Sequence, residues 1–182
     1  MLDLRNISVK VLINHNRGES LKLNSKMQHY LDGLASTELR TNNYNINLNG
    51  VKEVVFPEFI EWDGCVLLKQ EKNDPLPHQF SPNQFIPDRT AFEADYNHIH
   101  LNDIFDEILQ PNQIFYLSTK IIDVWAAVLS RQFKSRYRFI LILSFDSDEV
   151  VLRFYTVRDN ETPWLDTSAL ESYLDGLLLI EI

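Results

Sequence analysis

The spacing of hydrophobic positions changes along the chain, and its longest regular stretch begins at residue 118. Apolar side chains recur there at three- and four-residue intervals, which is the pattern of one helical face; they are Ile121, Ile122, Trp125, Leu129 and Phe133. Ser118 or Thr119 is a candidate N-cap, because a hydroxyl oxygen accepts a hydrogen bond from the first helical turn. The pattern predicts an amphipathic helix over residues 118–134.

The residues after this helix have the spacing of strands. Residues 139–143 are an unbroken apolar run, FILIL, which is typical of a strand buried on both faces. The polar cluster at 146–148 predicts a turn, and residues 150–157 return as a second strand. Burying the helical stripe on these strands removes large side chains from water, each worth roughly 1.5–3 kcal/mol. We therefore expect this region to form the core.

The N-terminal part alternates mostly with the period of two that strands have. This predicts strands at 7–13, 21–23 and 44–48, and the Asn49-Gly50 pair predicts a hairpin whose second strand covers 51–56. An Asp63-Gly64 turn precedes a further strand over 65–70, so residues 41–70 are predicted to form an antiparallel meander. Between these segments Ser25 is expected to cap a helix; its inward residues are Met27, Tyr30, Leu31 and Leu34.

Residues 71–100 are predicted to form a long loop, because four prolines interrupt any regular element. The apolar residues within it indicate that the loop is held against the body of the protein; they are Phe80, Phe85, Ile86 and Phe92. Asn102 is expected to cap a short helix that ends at Pro111. A loop over 159–163, a short helix from Asp166 or Thr167 to Tyr173 and a strand over 177–180 complete the chain.

These elements predict one α+β domain spanning residues 1–182. Its sheet is expected to be mainly antiparallel, with the helix of residues 118–134 packed on it and two or three shorter helices. A chain of 182 residues with 45% hydrophobic residues is long enough to enclose a substantial core. No internal repeat or linker divides it.

Charge and cysteine content narrow the classes of function. The net charge is −9, with −8 in residues 43–113, −7 in residues 139–182 and +4 in residues 114–138. An acidic protein repels nucleic acid and attracts cationic partners, although solubility alone also explains such a charge. The single cysteine, Cys65, indicates a reducing compartment and a buried side chain. Neither a signal peptide nor a membrane span is visible, so we expect a cytoplasmic location.

The best candidate for chemistry is the segment His98-Ile99-His100. In an extended chain its two imidazoles point the same way, as metal ligands do. It partly resembles the HxHxDH pattern of metallo-β-lactamase-fold hydrolases, but Asn102 and Asp103 stand where that pattern has Asp and His. A metal-dependent hydrolase using both histidines and Asp103, with Asp95 nearby, is therefore one hypothesis. Surface histidines are the simpler interpretation, and we expect no catalytic residue, metal or cofactor.

A binding surface is the second hypothesis. Trp62 lies among three carboxylates and Trp164 follows two, and aromatic anchors flanked by acids suit a cationic protein partner. Three further acids lie on or just after the predicted short helix. The full set of candidate partner-binding residues is Glu58, Glu61, Trp62, Asp63, Asp103, Asp106, Glu107, Asp159, Glu161 and Trp164. The alternative is that both tryptophans belong to the core.

A cytoplasmic, acidic α+β chain of this size without a catalytic motif resembles the immunity proteins of bacterial toxin systems, including contact-dependent inhibition. The resemblance covers the general character of the whole chain. It implies an interaction protein that binds and neutralises a cognate toxin, typically a basic nuclease domain, without itself binding nucleic acid or a membrane. A non-catalytic subunit of a larger complex is a third hypothesis.

Overall fold

The structure is a computed structural model that describes residues 20–36, 51–70, 75–105, 109–133 and 136–182. Within these ranges it contains five α-helices, a five-stranded antiparallel sheet and a two-stranded hairpin. The predicted α+β class and mainly antiparallel sheet are therefore confirmed. None of the helices in the described ranges combines the length and apolarity that crossing a membrane requires.

The helices and strands alternate irregularly along the chain. The helices are α1 (Ser25–Ser36), α2 (Lys52–Val55), α3 (Arg89–Tyr96), α4 (Asn102–Phe105) and α5 (Pro111–Phe133), with a 3₁₀ turn at Leu170–Ser172. The strands are β1 (Ser20–Leu23), β2 (Phe59–Trp62), β3 (Cys65–Leu68), β4 (Ile99–His100), β5 (Phe139–Phe145), β6 (Val150–Thr156) and β7 (Gly176–Glu181).

The large sheet has the strand order β1-β7-β5-β6-β4. Strands β5 and β6 form a hairpin that pairs Phe139 with Thr156 and Phe145 with Val150. Strand β7 lies on the other side of β5 and is also antiparallel to it. Strands β6 and β7 therefore run parallel to each other, and the segment 157–175 between them must cross one face of the sheet.

The opposite face of the sheet carries α5. The predicted stripe from Ile121 to Phe133 is buried against β5 and β6, as expected from its spacing. Trp125 lies at its centre with no exposed surface, and its indole N–H donates a hydrogen bond of 2.8 Å to the Val54 carbonyl oxygen. This bond satisfies the one polar atom of the ring and ties α2 to the main helix.

The start of α5 was predicted wrongly. Pro111 does not end the preceding helix but opens α5, because proline at a first helical position lacks only an N–H that would be unpaired there. Ser118 and Thr119 are buried inside the helix, and their hydroxyls donate to the carbonyl oxygens of Phe115 and Tyr116. Neither residue is an N-cap.

The crossover segment covers the second face with a smaller apolar cluster. Leu165 and Leu170 of this segment pack with Ile140, Ile142 and Leu179 of the sheet. The segment has only the 3₁₀ turn where a helix from 166 or 167 to 173 was predicted, so that prediction was wrong. Tertiary contact with the sheet, rather than a helical hydrogen-bond ladder, fixes its course.

The hairpin predicted at Asp63-Gly64 is confirmed. Both residues have positive φ, 46° and 76°, the combination that type I′ turns require. Residues 51–56, however, contain the helix α2 instead of a strand, so the predicted meander over 41–70 is wrong in this part. The predicted strands at 7–13 and 44–48 and the Asn49-Gly50 turn lie outside the described residues.

Two capping predictions also require correction. The N-cap of α1 is Asn24, whose side-chain oxygen accepts from the Met27 and Leu177 amides at 2.9 Å each, while Ser25 bonds to Glu171. Asn102 does not cap its own helix with its side chain. Its amide group instead bonds to the Val150 N–H and the Asp148 carbonyl, which joins α4 to the β5–β6 turn.

Candidate functional site

Helix α3, which was predicted as part of a loop, joins the small hairpin to the large sheet. Its N-cap is Asp88, whose carboxylate accepts from the Ala91 amide at 2.8 Å. Aspartate is a common N-cap residue, so Asp88 is a sequence signal for a helix start. The four prolines before it favoured a loop, and the helix was therefore not predicted. The helix places Glu93 and Asn97 four residues apart on its buried side.

The side chains of Glu93 and Asn97 form hydrogen bonds with backbone groups of β3 and β6 that have no partner in a neighbouring strand. The Glu93 carboxylate accepts from the Val66 amide of β3 at 2.7 Å and from the Thr156 amide of β6. The Asn97 side chain accepts from the Leu68 amide at 2.8 Å and donates to the carbonyl oxygens of Val66 and Phe154. Two side chains thereby join the edges of the two sheets.

Arg158 neutralises the buried carboxylate of Glu93. Glu93 has no exposed surface, and both terminal nitrogens of Arg158, whose side chain is 13% exposed, lie within 3.0 Å of its oxygens. Burial alone would lower the pKa of Arg158, but the Glu93 hydrogen bonds and charge outweigh it, and the pKa is raised. The same guanidinium donates to the Gly64 carbonyl at 2.7 Å, so it also holds the hairpin turn.

The three predicted carboxylates around Trp62 all take part in ion pairs within the chain. Glu58 pairs with Lys69 at 3.0 Å, Asp63 pairs with Arg89 at 2.9 Å, and Glu61 bonds to both Arg136 and the Tyr137 hydroxyl. The Tyr137 hydrogen bond, followed by Arg136, lowers the pKa of Glu61 below its ordinary value of 4.5.

Trp62 and Asp63 hold the segment 75–88 in place. The Trp62 indole N–H donates to the Pro77 carbonyl at 3.1 Å, and the Asp63 carboxylate accepts from the Phe80 amide at 2.9 Å. The Phe80 bond, with Arg89 adding to it, lowers the pKa of Asp63. The Arg89 guanidinium also lies 5.3 Å from the Phe80 ring centroid. Of the predicted loop over 71–100, the part at 75–88 is therefore present and pinned at several points, whereas α3 and β4 occupy most of 89–100, where the prediction was wrong.

The tip of this loop presents an aromatic ring to solvent. The Asn83 side-chain oxygen accepts from the Phe85 and Ile86 amides at 2.8 and 3.0 Å, which closes a tight turn. Phe85 is 83% exposed at this turn. A large aromatic side chain held in water by an ordered backbone is a feature of binding loops. Nothing in its sequence surroundings distinguished Phe85 from the half-buried Phe80 and Phe92.

The second tryptophan occupies a different surface. Trp164 is 41% exposed, and the Arg153 guanidinium of β6 stacks 3.9 Å from its ring centroid. Burial lowers the pKa of Arg153, and the charge of Asp95 opposes this effect. Asp159 pairs with Arg138 at 3.1 Å, and Glu161 accepts from the Thr90 amide at 2.7 Å. Within the described ranges no ring contact joins the two tryptophans.

One of the remaining predicted acids lies near one end of the large sheet. Asp103 is exposed on α4, while Asp106 and Glu107 lie outside the described residues. The Asn102 bond to Asp148 brings α4 beside the β5–β6 turn, which carries Asp146 and Asp148. The structure therefore groups Asp103 with acids that were not among the predicted site residues.

The two histidines of the possible metal site lie side by side with ring centroids 5.2 Å apart. His98 Nδ1 bonds to the Asp95 carbonyl oxygen, and His100 Nδ1 bonds to the Glu149 carboxylate. In the described part of the chain no three histidine, cysteine, aspartate or glutamate residues are grouped to hold a metal ion. Cys65 is buried, and burial, with the Glu93 charge adding to it, raises its pKa to about 12.

The fold and these surfaces define an α+β protein in which a helix-anchored hairpin supports an ordered, aromatic-tipped loop. The uncharacterized protein PM0498 family matches residues 22–182, and the chain belongs to this family. No curated protein and no solved structure matches the chain.

Proposed function

We propose that this protein is a non-catalytic interaction protein that binds and neutralises a basic protein toxin, as immunity proteins of bacterial toxin systems do. The observation that supports this proposal most is the loop 75–88. Its backbone is fixed by Trp62, Asp63 and Asn83, and it carries Phe85 into solvent at 83% exposure. An aromatic anchor that is already ordered loses little conformational entropy on binding, which favours affinity.

The net charge of −9 supports a cationic partner. Long-range attraction between an acidic protein and a basic one accelerates their encounter. Several carboxylates are already paired within the chain, so those without an ion-pair partner among the described residues, such as Asp103 and Asp148, would contribute most to this attraction. Phe85 would then supply buried apolar area after the encounter.

Co-expression tests the proposal directly. The gene encoded next to this one is expressed in a bacterial host, alone and together with this protein. We expect growth arrest in the first case and normal growth in the second. A neighbouring gene that is harmless, or that arrests growth equally in both cases, would show that the proposal is wrong.

A pair of variants tests the role of the loop. Phe85→Ser should weaken protection and binding of the purified toxin, whereas Leu174→Ser, which changes a side chain that is 86% exposed elsewhere, should leave both unchanged. Thermal unfolding monitored by circular dichroism should be the same for both variants. If Phe85→Ser protects and binds as well as the unchanged protein does, the loop is not the anchor.

A further inference from the structure

An open pocket of about 440 Å³ lies between α3 and the start of the pinned loop. Its walls include Phe92, Tyr96 and His98 on one side and Leu76 and Pro77 on the other. The pocket is mostly apolar, and the acidic residue Asp95 belongs to its lining. Such a combination of aromatic faces and one negative charge is suited to a cation that also has an apolar stem.

The aromatic wall is held in a fixed arrangement. The Phe92 ring contacts Trp62, Phe80 and Tyr96, with ring centroids 5.3, 5.5 and 5.8 Å apart. The Tyr96 backbone is further tied to the Gln70 side chain by a hydrogen bond of 3.5 Å. Because these rings are positioned by one another, the π faces require little rearrangement to receive a ligand.

The Asp95 carboxylate differs from the acids around Trp62. Within the described residues it accepts no hydrogen bond and forms no ion pair, whereas Glu61 and Asp63 each have an arginine partner. The Asp95 charge acts on Arg153 from a distance, without an ion pair between them. The Arg153 guanidinium stacks on Trp164 instead. The carboxylate is exposed and therefore open to an incoming cation.

We propose that this pocket receives an arginine side chain of the partner protein. The guanidinium would pair with Asp95 and lie against the ring of Tyr96, and its methylene stem would contact Phe92 and Leu76. Arginine fits better than lysine because its planar, weakly hydrated head group both stacks and pairs. This inference rests on the proposed function, since it assigns one point of contact with the basic toxin.

The pocket can be tested without the toxin. The probe is the peptide acetyl-Gly-Arg-Gly-amide, titrated into ¹⁵N-labelled protein, with the citrulline analogue as the uncharged control of nearly the same shape. We expect saturable shifts of the amide signals of residues 92–98 with the arginine peptide. The citrulline peptide should cause much smaller shifts, because it lacks the positive charge.

Three variants separate the contributions of charge and ring. Asp95→Asn should weaken arginine-peptide binding by roughly fivefold, which is the largest loss of affinity expected when an exposed ion pair is removed. Tyr96→Leu should weaken it by roughly two- to fivefold, while Tyr96→Phe, which keeps the π face, should bind normally. Asp175→Asn removes an exposed acid just before β7 that does not line the pocket, and it should have no effect.

Several results would overturn the inference: no shifts with the arginine peptide, equal shifts with citrulline, or unchanged binding by Asp95→Asn. A separate experiment, co-expression with the neighbouring gene, tests the proposed immunity function. A harmless neighbouring gene refutes the immunity role whatever the peptide does. Full neutralisation by Asp95→Asn that has lost peptide binding refutes the pocket's role and leaves the immunity function intact.

Discussion

Trp125 connects three parts of the protein through a single side chain. Its ring lies edge-on to Phe59 and Phe154, with centroids 6.1 and 5.9 Å apart, and its N–H bonds to Val54. The residue thereby joins α5 to the hairpin, to β6 and to α2. Removing the ring would leave both a cavity and an unpaired buried carbonyl oxygen.

We expect Trp125→Ala to lower the free energy of unfolding by about 3–5 kcal/mol, the usual loss for a large buried side chain. Urea unfolding measures this change. Val124→Ala alters the adjacent, partly exposed residue, and it should stay within about 0.5 kcal/mol of the unchanged protein. A loss below about 1 kcal/mol for Trp125→Ala would contradict the proposed packing.

Glu61 links the hairpin to the end of α5 through Arg136 and Tyr137, and its lowered pKa predicts a pH dependence. A carboxyl whose pKa is lower in the folded state stabilises the fold above its unfolded pKa, and this contribution is lost as pH falls through the folded pKa. The unchanged protein should therefore exceed Glu61→Gln in stability above pH 4.5, the ordinary pKa.

The stability difference between the two proteins should disappear in more acidic solution. Urea unfolding of both, repeated from pH 7 down to pH 3, measures this convergence. Glu58→Gln serves as the control, because within the described residues Glu58 forms an ion pair only with the exposed Lys69 and should show little difference at any pH. A Glu61→Gln difference that is constant across this range would refute the assignment.

At the scale of elements, α3 is the joint between the two sheets. No ladder hydrogen bonds connect β3 to β6 within the described residues; the Glu93 and Asn97 side chains connect them instead. Besides its ion pair with Arg158, the Glu93 carboxylate accepts hydrogen bonds from the Val66 amide, the Thr156 amide and the Thr156 hydroxyl. It makes all of these contacts without access to solvent. The hairpin that supports the loop 75–88 therefore depends on one buried ion pair.

Glu93→Gln should lower the free energy of unfolding by about 3–5 kcal/mol, because it removes the carboxylate nearest to the largely buried Arg158 charge and leaves only Glu161 at 3.8 Å. The Arg158→Met variant should also be costly, since it leaves Glu93 unpaired. The double variant Glu93→Gln/Arg158→Met removes both charges and should lose less than the sum of the two single losses. Additive losses in urea unfolding would show that the two charges are not coupled.

At the scale of the whole molecule, the described residues place three arginine–carboxylate pairs at one end of the large sheet and two exposed acids without an ion-pair partner at the other. The end where β5 begins carries Arg136, Arg138 and Arg158, each matched by a carboxylate. The other end carries the exposed Asp103 and Asp148, for which the described residues provide no ion-pair partner. Asp103 and Asp148 therefore add negative charge near the β5–β6 turn that is available to a partner.

We expect Asp148→Lys to slow association with the cognate toxin several-fold at low salt and to have little effect on dissociation. The difference should shrink at 0.15 M salt, where exposed charges are screened beyond about 8 Å. Glu58→Lys changes the net charge by the same amount, but at a different site, beside Lys69 at the end of β3. It should slow association less, and equal effects in stopped-flow measurements would contradict a localised field.

The sequence by itself determined the elements whose evidence is local and repeated. The stripe from Ile121 to Phe133, the apolar run of β5 and the Asp63-Gly64 turn all appear in the structure where they were predicted. A long helical face and a buried strand each repeat their signal over several residues. A turn with two positive φ angles places strong demands on residue type.

Only the tertiary structure decided the short helices and the polar contacts. Helix α2 has four residues, too few for a period to be visible, and its Val54 carbonyl is satisfied by Trp125 from a distant part of the chain. The carboxylates near Trp62 were predicted to face a partner, yet Glu61 and Asp63 bond to Arg136 and Arg89. Such pairings depend on the folded path of the chain, and sequence spacing carries no information about residues that meet only after folding.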